Sequence, residues 1–379
     1  SIEGYTRIHE SDMYLKPDYD TFTIFPWETS GGCTARMMCD IYLPSGDPFV
    51  GCPRGALRRA MAEAEEMGYE MFAGPEPEFF LFEKDEAGNP TTNTHDKGGY
   101  FDLSPVDLGG EARRDTVLAL KKMGFEVEAA HHEVAPGQHE IDFKYTPALR
   151  TADNIATFKF VTKIIAMQHD LHATFMPKPI YGESGSGMHV HQSLYKDGQN
   201  AFYDPEDEHG LSEIAYYYIG GLLKHAKETT AILNPTINSY KRLVPGYEAP
   251  VYISWSTQNR SALVRVPSAR GNGTRLELRN PDPAANPYLA TAVMLKAGLD
   301  GIRNKIDPGE QTTDNIYEMS YKERKSRGIK SLPGSMEEAL KHFQESEFMR
   351  EALGEHIFNH LVEAKKIEWS VYKKQVHNW

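Results

Sequence analysis

The chain has 379 residues, of which 40% are hydrophobic and 25% charged, a composition typical of a globular protein with a large core. Its net charge of −13 argues against a nucleic-acid or anionic-membrane partner, although local arginine clusters can still bind small anionic substrates. Three cysteines without CxxC spacing indicate neither a disulfide framework nor a zinc knuckle, and no apolar run reaches membrane-spanning length. These features favour a reduced, cytoplasmic enzyme.

Short strands alternate with helices along the chain, which favours an α+β fold over a doubly wound sheet. Strands are predicted at 21–25 and 37–42, before a break rich in proline and glycine at 44–54. Pro53 suits the first position of a helix. Helices are predicted at 53–67, 110–123, 150–170, 211–229 and 287–303, and from Met336 to the chain end.

The stretch GPEPEFFLF, residues 74–82, places two glutamates inside an apolar run that reads as a buried strand. Residues i and i+2 of a strand share a face, so Glu76 and Glu78 stand side by side with Phe80 and Phe82 following. Two buried like charges repel each other and lose solvation. Something positive must compensate them: an arginine pair, a shared proton or a metal ion.

Three further stretches present polar side chains at period two, backed by an apolar face. They are HHEVAPGQHEIDFKY (131–145) with Glu133 and Glu140, GSGMHVHQSLY (185–195) with His189, His191 and Ser193, and TRLELRN (274–280) with Arg275, Glu277 and Arg279. Each stretch alone also fits a plainer role, as solvated glutamates, hydrogen-bonded histidines or an amphipathic strand with surface ion pairs. Together they predict a concave polar site on a hydrophobic sheet.

A carboxylate-rich site with little nitrogen and no sulfur suits Mg²⁺ or Mn²⁺. Five arginines in the same region could grip phosphates or carboxylates. They are Arg242, Arg260, Arg265, Arg275 and Arg279. Because the chain has no GxxxxGK[ST] loop, a nucleotide would have to be held by metals and arginines, as in phosphoryl transfer.

These stretches, together with NPTINSYKRLVPGYEAPVYISWSTQNRS and RLELRNPDPAANPYLA, resemble bacterial type I glutamine synthetase over essentially the whole chain. The resemblance implies a partial N-terminal β-grasp-like domain (1–52) and a catalytic domain (53–379) with a curved antiparallel sheet flanked by helices. It implies ATP-dependent ligation of ammonium to the γ-carboxylate of glutamate through γ-glutamyl phosphate, with at least two Mg²⁺ or Mn²⁺ ions per site. It also implies a dodecamer of two stacked hexamers, with active sites shared between subunits.

The resemblance also implies roles for individual residues. Glu78, Glu133 and Glu140 match ligands of the metal nearer glutamate, and Glu76, His189 and Glu277 match ligands of the metal that holds the ATP phosphates. The glutamate and ammonium site is matched by Glu78, Glu133, Gly185, Arg242, Glu248, Arg279, Tyr100 and Ser1. The ATP site is matched by Glu128, Tyr145, His191, Ser193, Arg260, Arg265 and Arg275.

Three of these residues are implied to be catalytic: Glu248, which closes over the intermediate, Arg260, which faces the transferred phosphate, and Arg279. The chain looks more like the shorter subtype, which is controlled by feedback inhibition. Arg7 matches an arginine linked to that control, and regulatory proteins are further partners that the resemblance allows.

Two departures from the family leave alternatives open. The family usually has Phe-Asp-Gly-Ser before the Ser-Ile that opens this chain, so an N-terminal piece is expected to be missing from the sequence. Ser184 stands where asparagine is common. A sister ligase that uses an amine larger than ammonia therefore remains open. A non-catalytic relative is less favoured, because an inactive scaffold has no need to bury five carboxylates. A zinc hydrolase is less favoured, because it would use more histidine or aspartate ligands.

Overall fold

The computed structural model describes residues 12–27, 31–247 and 249–376. The predicted site residues Ser1, Arg7 and Glu248 lie outside these described residues. The described chain begins with two antiparallel strands, β1 (Tyr14–Ile24) and β2 (Ala35–Tyr42), which form a sheet of their own. β2 contains the predicted strand 37–42, and β1 covers the predicted strand 21–25 except for its last residue. The domain boundary between residues 52 and 53 stays a prediction.

A second, larger sheet carries the predicted polar strands and contains twelve strands among the described residues. Their bounds are β3 (Glu70–Lys84), β4 (Pro90–Thr94), β5 (Val127–His132), β6 (Gln138–Phe143), β7 (Thr146–Pro147), β8 (Leu171–Thr174), β9 (Met188–Lys196), β10 (Gln199–Asn200), β11 (Tyr252–Ser256), β12 (Ala262–Arg265), β13 (Leu276–Leu278) and β14 (Lys330–Ser331). The main order is β14-β11-β12-β13-β9-β3-β6-β5, so β3 lies between the strands that carry the histidines and the later glutamates. This arrangement brings distant stretches of sequence to one place.

The alternation predicted for β3 is confirmed. Phe80 and Phe82 stack with ring centroids 5.8 Å apart and pack in a small cluster with Ala135. Phe79 and Leu81 enter the main core on the opposite side. The glutamate face of β3 is therefore separate from the face that packs against the core helices.

The sheet was expected to be antiparallel, and this expectation is wrong for one pair. Strands β11 and β12 run parallel, with Tyr252 opposite Ala262. Short connections usually make antiparallel hairpins. Here the connection 257–261 carries the chain back along β11 before β12 begins, so that both strands run in the same direction. This short connection is long enough, because five extended residues span up to about 17 Å and β12 is only four residues long.

The helices confirm most of the sequence prediction. They are α1 (Pro53–Glu66), α2 (Gly110–Lys122), α3 (Ala148–Gln168), α4 (Glu213–Lys224), α5 (Ala226–Leu233), α6 (Ser239–Arg242), α7 (Pro287–Arg303), α8 (Tyr321–Ser326), α9 (Met336–Gln344), α10 (Glu347–Leu353) and α11 (Glu355–Tyr372). No described helix combines the length and apolar character that crossing a membrane requires.

Two helices predicted as continuous are interrupted. The 211–229 prediction is wrong at His225, where the chain bends between α4 and α5 and the His225 ring contacts Asp300 at 2.8 Å. The tail divides into three helices because the Ser346 side chain caps α10 and Gly354 adopts a φ of +80° before α11.

Arg54 of α1 joins the small sheet to the helices. Its side chain is 4% exposed and donates to Asp18 of β1 at 2.7 Å, Asp40 of β2 at 2.9 Å and Asp153 of α3 at 2.9 Å. Arg58 contacts the same Asp18 and Asp40 at 3.1 Å, but its side chain is 45% exposed. The two arginines thus share partners and differ in burial.

Replacing Arg54 with alanine is expected to lower the free energy of unfolding by about 3–5 kcal/mol, because it leaves the buried Asp153 carboxylate without its cation. Arg58→Ala is the matched control and should cost less than about 1 kcal/mol, since exposed ion pairs contribute little. Urea unfolding followed by circular dichroism measures both. Equal losses in the two variants would contradict this view of Arg54.

Candidate active site

The predicted polar strands meet around a cavity of about 470 Å³, here called the carboxylate cavity. Most of the predicted metal and substrate residues line it: Glu76, Glu78, Tyr100, Glu133, Glu140, Gly185, His189, Arg242, Arg260, Arg265, Glu277 and Arg279. Strand register explains this convergence. Glu76 lies opposite His189 across β3 and β9, and Glu78 lies opposite Glu140 across β3 and β6.

One group of side chains on the β9 side of the cavity could hold a cation. Glu76, His189 and Glu277 each offer a ligand atom, and these atoms all lie within 4.8 Å of one another. We call this group the β9 cluster. Glu76 also contacts His191, with 2.6 Å between Oε1 and Nε2. Burial opposes ionisation of Glu76, but the hydrogen bonds to His189 and His191 outweigh it and hold the pKa of Glu76 well below its usual range.

Two arginines flank the β9 cluster. Glu277 accepts hydrogen bonds from Arg265 Nη1 at 2.6 Å and from Arg279 Nε at 3.0 Å. Burial works against its charge, yet nearby His189 and Arg279 keep the pKa of Glu277 lowered. In the described part of the chain, the buried Arg279 Nη1 has no hydrogen-bond partner. That donor is available to an anion that enters the cavity.

A second group, the β6 cluster, consists of His131, Glu140 and Asp142, whose ligand atoms also lie within 4.8 Å of one another. His131 Nε2 is 3.1 Å from Glu140 Oε1. Glu78 and Glu133, which the resemblance groups with Glu140, line the same cavity. Glu78 accepts from Gln138 Nε2 at 2.7 Å and from the backbone N–H of Gly187 at 3.0 Å.

Three carboxyl groups on this side of the cavity have raised pKa values, so they bind a proton or a cation more readily than an ordinary carboxyl group does. Burial, reinforced by Glu133 and Glu140, raises the pKa of Glu78 well above its usual value. Burial and the charge of Asp142 do the same to the pKa of Glu140. Burial, together with Glu76, raises the pKa of Asp142 to about 8. A divalent cation would relieve the repulsion that produces these shifts.

The donor set fits a hard divalent cation on both sides. It consists of carboxylate oxygens and imidazole nitrogens, without sulfur. Gly187 keeps space open between the clusters, since a Cβ there would lie 3.2 Å from Glu78 Oε1, 3.0 Å from His189 Nε2 and 2.5 Å from Arg242 Nη2. Larger residues at this position would fill the space where a cation or substrate could sit.

An aromatic pocket of about 260 Å³ adjoins the carboxylate cavity, and Glu76 and Asp142 line both. In this pocket the Phe72 ring lies 5.9 Å from Tyr145 and 4.9 Å from Tyr195. Five predicted ATP residues line the pocket: Glu128, Tyr145, His191, Ser193 and Arg275. The other two, Arg260 and Arg265, line the carboxylate cavity. A planar base could therefore sit among the aromatic rings with its charged end in the cavity.

Sequence reasoning missed His131, Gln138 and Asp142. All three had a detectable signal, because Gln138 and Asp142 lie two residues before and after Glu140 on β6 and share its face, and His131 precedes Glu133 by two. Sequence could not give the partner of Gln138. The contact of Gln138 with Glu78 depends on the β3–β6 register, in which Gln138 lies opposite Phe80.

The chain matches known protein families and well-described relatives along its length. Residues 50–379 match the family described as "Glutamine synthetase, catalytic domain", and residues 1–44 match "Glutamine synthetase, beta-Grasp domain". The chain is 60% identical to a glutamine synthetase of Methanosarcina mazei and 58% identical to one of Thermus thermophilus, covering all of this chain and 85% and 86% of those relatives.

Solved structures agree with the sequence comparison. A structure described as "GmaS/ADP complex-Conformation 1" superposes with a TM-score of 0.89 at 34% identity, over 99% of this chain and 85% of that one. "Apo GmaS without ligand" superposes with a TM-score of 0.88 at 35% identity. The predicted α+β class, with β-grasp and catalytic parts, is confirmed.

Proposed function

Because the chain belongs to the glutamine synthetase family, we propose that the carboxylate cavity is where it joins ammonium to glutamate. The enzyme catalyses the ATP-dependent formation of glutamine, ADP and phosphate. The observation that supports this placement is the junction of the two pockets. Two carboxylate clusters and four arginines line a cavity that opens beside an aromatic pocket, with Glu76 and Asp142 in both walls.

The reaction has two steps that make different demands on the cavity. An oxygen of the glutamate γ-carboxylate attacks the terminal phosphorus of ATP, and ADP leaves. Ammonia then attacks the carbonyl carbon of γ-glutamyl phosphate, the bond between carbon and the bridging oxygen breaks, and phosphate leaves with the carboxylate oxygen that attacked in the first step, while the new amide nitrogen gives up a proton. The first step needs charge neutralisation around phosphate, and the second needs a deprotonated amine and the exclusion of water.

We assign the β9 cluster to the ATP phosphates and the β6 cluster, with Glu78 and Glu133, to the glutamate side. Divalent cations bound there would neutralise the charge that builds up during phosphoryl transfer. Arg265 and Arg279 already bracket Glu277, so their guanidinium groups lie beside the transferred phosphate in this assignment. The similar structure described as an ADP complex supports nucleotide binding by this chain, and the rings of the aromatic pocket are where we place the base.

An amine panel tests the activity and its nearest alternative. With glutamate, ATP and Mg²⁺, we expect glutamine and phosphate to form in equal amounts with ammonium, and little product with methylamine or a polyamine. Preference for a larger amine would make the enzyme a sister ligase. Activity without ATP would contradict ligase chemistry altogether.

Cation binding should depend on pH in a way that follows from the β6 cluster. Glu78, Glu140 and Asp142 have raised pKa values, to about 8 for Asp142, against about 4 in the unfolded chain. Without cations, Asp142 therefore stabilises the fold at low pH, and this stabilisation is lost as pH rises from about 4 through about 8. Glu78 and Glu140 act in the same direction, since their pKa values are also raised.

Mg²⁺ competes with those protons, so the rise in Tm that it produces should be larger at about pH 9 than at about pH 6. Differential scanning calorimetry with and without Mg²⁺ measures the rise. Asp142→Asn should reduce its pH dependence, and choline chloride at equal ionic strength is the control for screening. A rise that does not change with pH would contradict cation binding at this cluster. Replacing Mg²⁺ with Mn²⁺ in the same experiment compares the two ions.

A dodecamer with shared sites is supported by apolar surface on the N-terminal hairpin. Tyr14, Leu15, Tyr19, Phe22 and Ile24 of β1 are each at least half exposed, with Tyr19 at 76%. A two-stranded sheet with such a surface is stabilised by packing against another layer. Light scattering at assay concentration tests the proposal, and a fully active monomer would contradict it.

The cytoplasm remains the proposed compartment. The free state of Cys33, Cys39 and Cys52 supports it, because thiols persist in reducing compartments. Cell fractionation with an antibody to the chain measures the location, and recovery outside the cytoplasmic fraction would contradict the proposal.

A further inference from the structure

Asp96 is a buried carboxylate that holds two parts of the chain together, although it lines neither cavity. Its side chain is buried, with the whole residue 5% exposed. Asp96 Oδ1 accepts from the backbone N–H of Gly137 at 2.9 Å and of Gly98 at 3.3 Å, and lies 3.2 Å from His132 Nε2. Asp96 Oδ2 accepts from the backbone N–H of Leu108 at 3.3 Å.

Two of these partners belong to the connection that carries the glutamate-side carboxylates. Gly137 lies between Glu133 and Glu140, with a φ of +67°, and a Cβ there would lie 2.9 Å from a β3 carbonyl oxygen. His132 immediately precedes Glu133, and its Nδ1 is 2.7 Å from the Glu133 carbonyl oxygen. Asp96 therefore fixes the backbone on both sides of Glu133.

The third partner begins the loop that carries Tyr100. A Cβ on Gly98 would lie 2.8 Å from His132 Nε2, so this loop packs directly on the histidine that Asp96 holds. The backbone N–H of Phe101 donates to the His132 carbonyl at 3.1 Å. The Tyr100 ring then stands 5.5 Å from His131 at the cavity wall.

A buried metal is an alternative explanation, because Asp96, Asp107, His132 and His139 bring ligand atoms within 4.8 Å of one another. A cation is already present, however. Arg113 Nη2 donates to Asp107 at 2.6 Å, and Arg113 Nη1 lies 2.7 Å from His139 Nδ1. Since guanidinium can only donate, His139 Nδ1 accepts and its Nε2 carries the proton, which leaves no lone pair there for a metal. The group is a hydrogen-bonded support.

We propose that Asp96 is a positioning residue that sets Glu133 and Tyr100 at the glutamate and ammonium side of the cavity. This inference rests on the proposed function. The β9 cluster is carried by β3, β9 and β13, which Asp96 does not contact through its carboxylate. Asp96 should therefore affect one side of the cavity and spare the other.

Asp96→Asn keeps the shape and removes one acceptor, so an amide NH₂ must face N–H groups. We expect Mn²⁺ affinity on the glutamate side of the cavity to fall roughly 10–100-fold, as it does when other groups that orient metal ligands are changed. Mn²⁺ affinity at the β9 cluster should stay unchanged. The KM for ammonium should rise, and the KM for ATP should stay within about twofold of wild type. Electron paramagnetic resonance of free Mn²⁺ and steady-state assays measure these quantities.

Gly98→Ala perturbs the same contact from the loop, because its Cβ would press on His132, and should give the same split. Asp115→Asn is the matched control, since Asp115 also pairs with a histidine, His169 at 3.0 Å, but on the surface. Equal weakening of both classes of Mn²⁺ site, with an equal rise in the KM values for ammonium and ATP, would overturn the proposal. Unfolding of both test variants would also overturn it. Inactive wild-type protein would instead refute the proposed function, and this outcome is separate from the comparison of variants.

Discussion

Replacing Glu277 with glutamine is expected to reduce glutamine formation by roughly 10²–10³-fold. The change keeps the volume on β13 and removes a charge from the β9 cluster, where Arg265 and Arg279 both pair with this carboxylate. A metal contributes several kcal/mol of charge stabilisation in phosphoryl transfer, and about 1.4 kcal/mol corresponds to a tenfold change in rate. His189→Ala should behave in the same way, because it removes another member of that cluster.

The readouts for Glu277→Gln are glutamine formation and Mn²⁺ binding in the absence of substrates. Glu83→Gln is the control, since Glu83 is an exposed residue near the end of β3 and lines neither pocket. Glu140→Ala should weaken the other class of cation site. If Glu277→Gln keeps near-normal turnover at ordinary Mg²⁺ concentration, the assignment of the β9 cluster is wrong.

Replacing Glu248 with alanine is expected to separate the two steps of the reaction. Glu248 lies outside the described residues, but its neighbours Tyr247 and Ala249 line the carboxylate cavity. The resemblance implies that Glu248 closes over γ-glutamyl phosphate, shields it from water and adds negative charge to the ammonium site. Proton removal of this kind contributes roughly 10²–10⁴ in rate, so glutamine formation should fall by about that factor.

Phosphoryl transfer does not need this carboxylate, so glutamate-dependent cleavage of ATP should continue in Glu248→Ala. The phosphate released per glutamine should rise above one, as water intercepts the acyl phosphate. A coupled assay for ADP and a separate assay for glutamine measure the ratio, with the exposed loop variant Glu310→Ala as control. Should both reactions fall in step, Glu248 would act in binding or folding.

The polar faces of the large sheet could be predicted from sequence because a strand repeats every two residues. That period placed Glu76 with Glu78, and His189 with His191, before their partners were known. The same period also places Asp142 beside Glu140, because an aspartate at that spacing meets the same requirement as a glutamate.

Features that depend on distant pairings could not be found in this way. The parallel pairing of β11 with β12 depends on how one loop returns, and short connections usually predict the opposite. Asp96 reaches residues 36 and 41 positions away in sequence, through donors that are mostly backbone N–H groups without a residue signature. Arg54 and Asp153 are 99 positions apart. Each contact follows from the assembled fold and leaves no periodic pattern.

Phosphoryl transfer to glutamate can be tested by following the γ-carboxylate oxygens of glutamate. We expect glutamate labelled with ¹⁸O at the γ-carboxylate, incubated with ATP, Mg²⁺ and ammonium, to transfer one labelled oxygen to each phosphate released. This transfer occurs because the attacking carboxylate oxygen leaves with the phosphoryl group when ammonia displaces it. Mass spectrometry of the phosphate measures the label. Phosphate without ¹⁸O, formed while glutamine accumulates, would contradict activation of glutamate by phosphoryl transfer in this cavity.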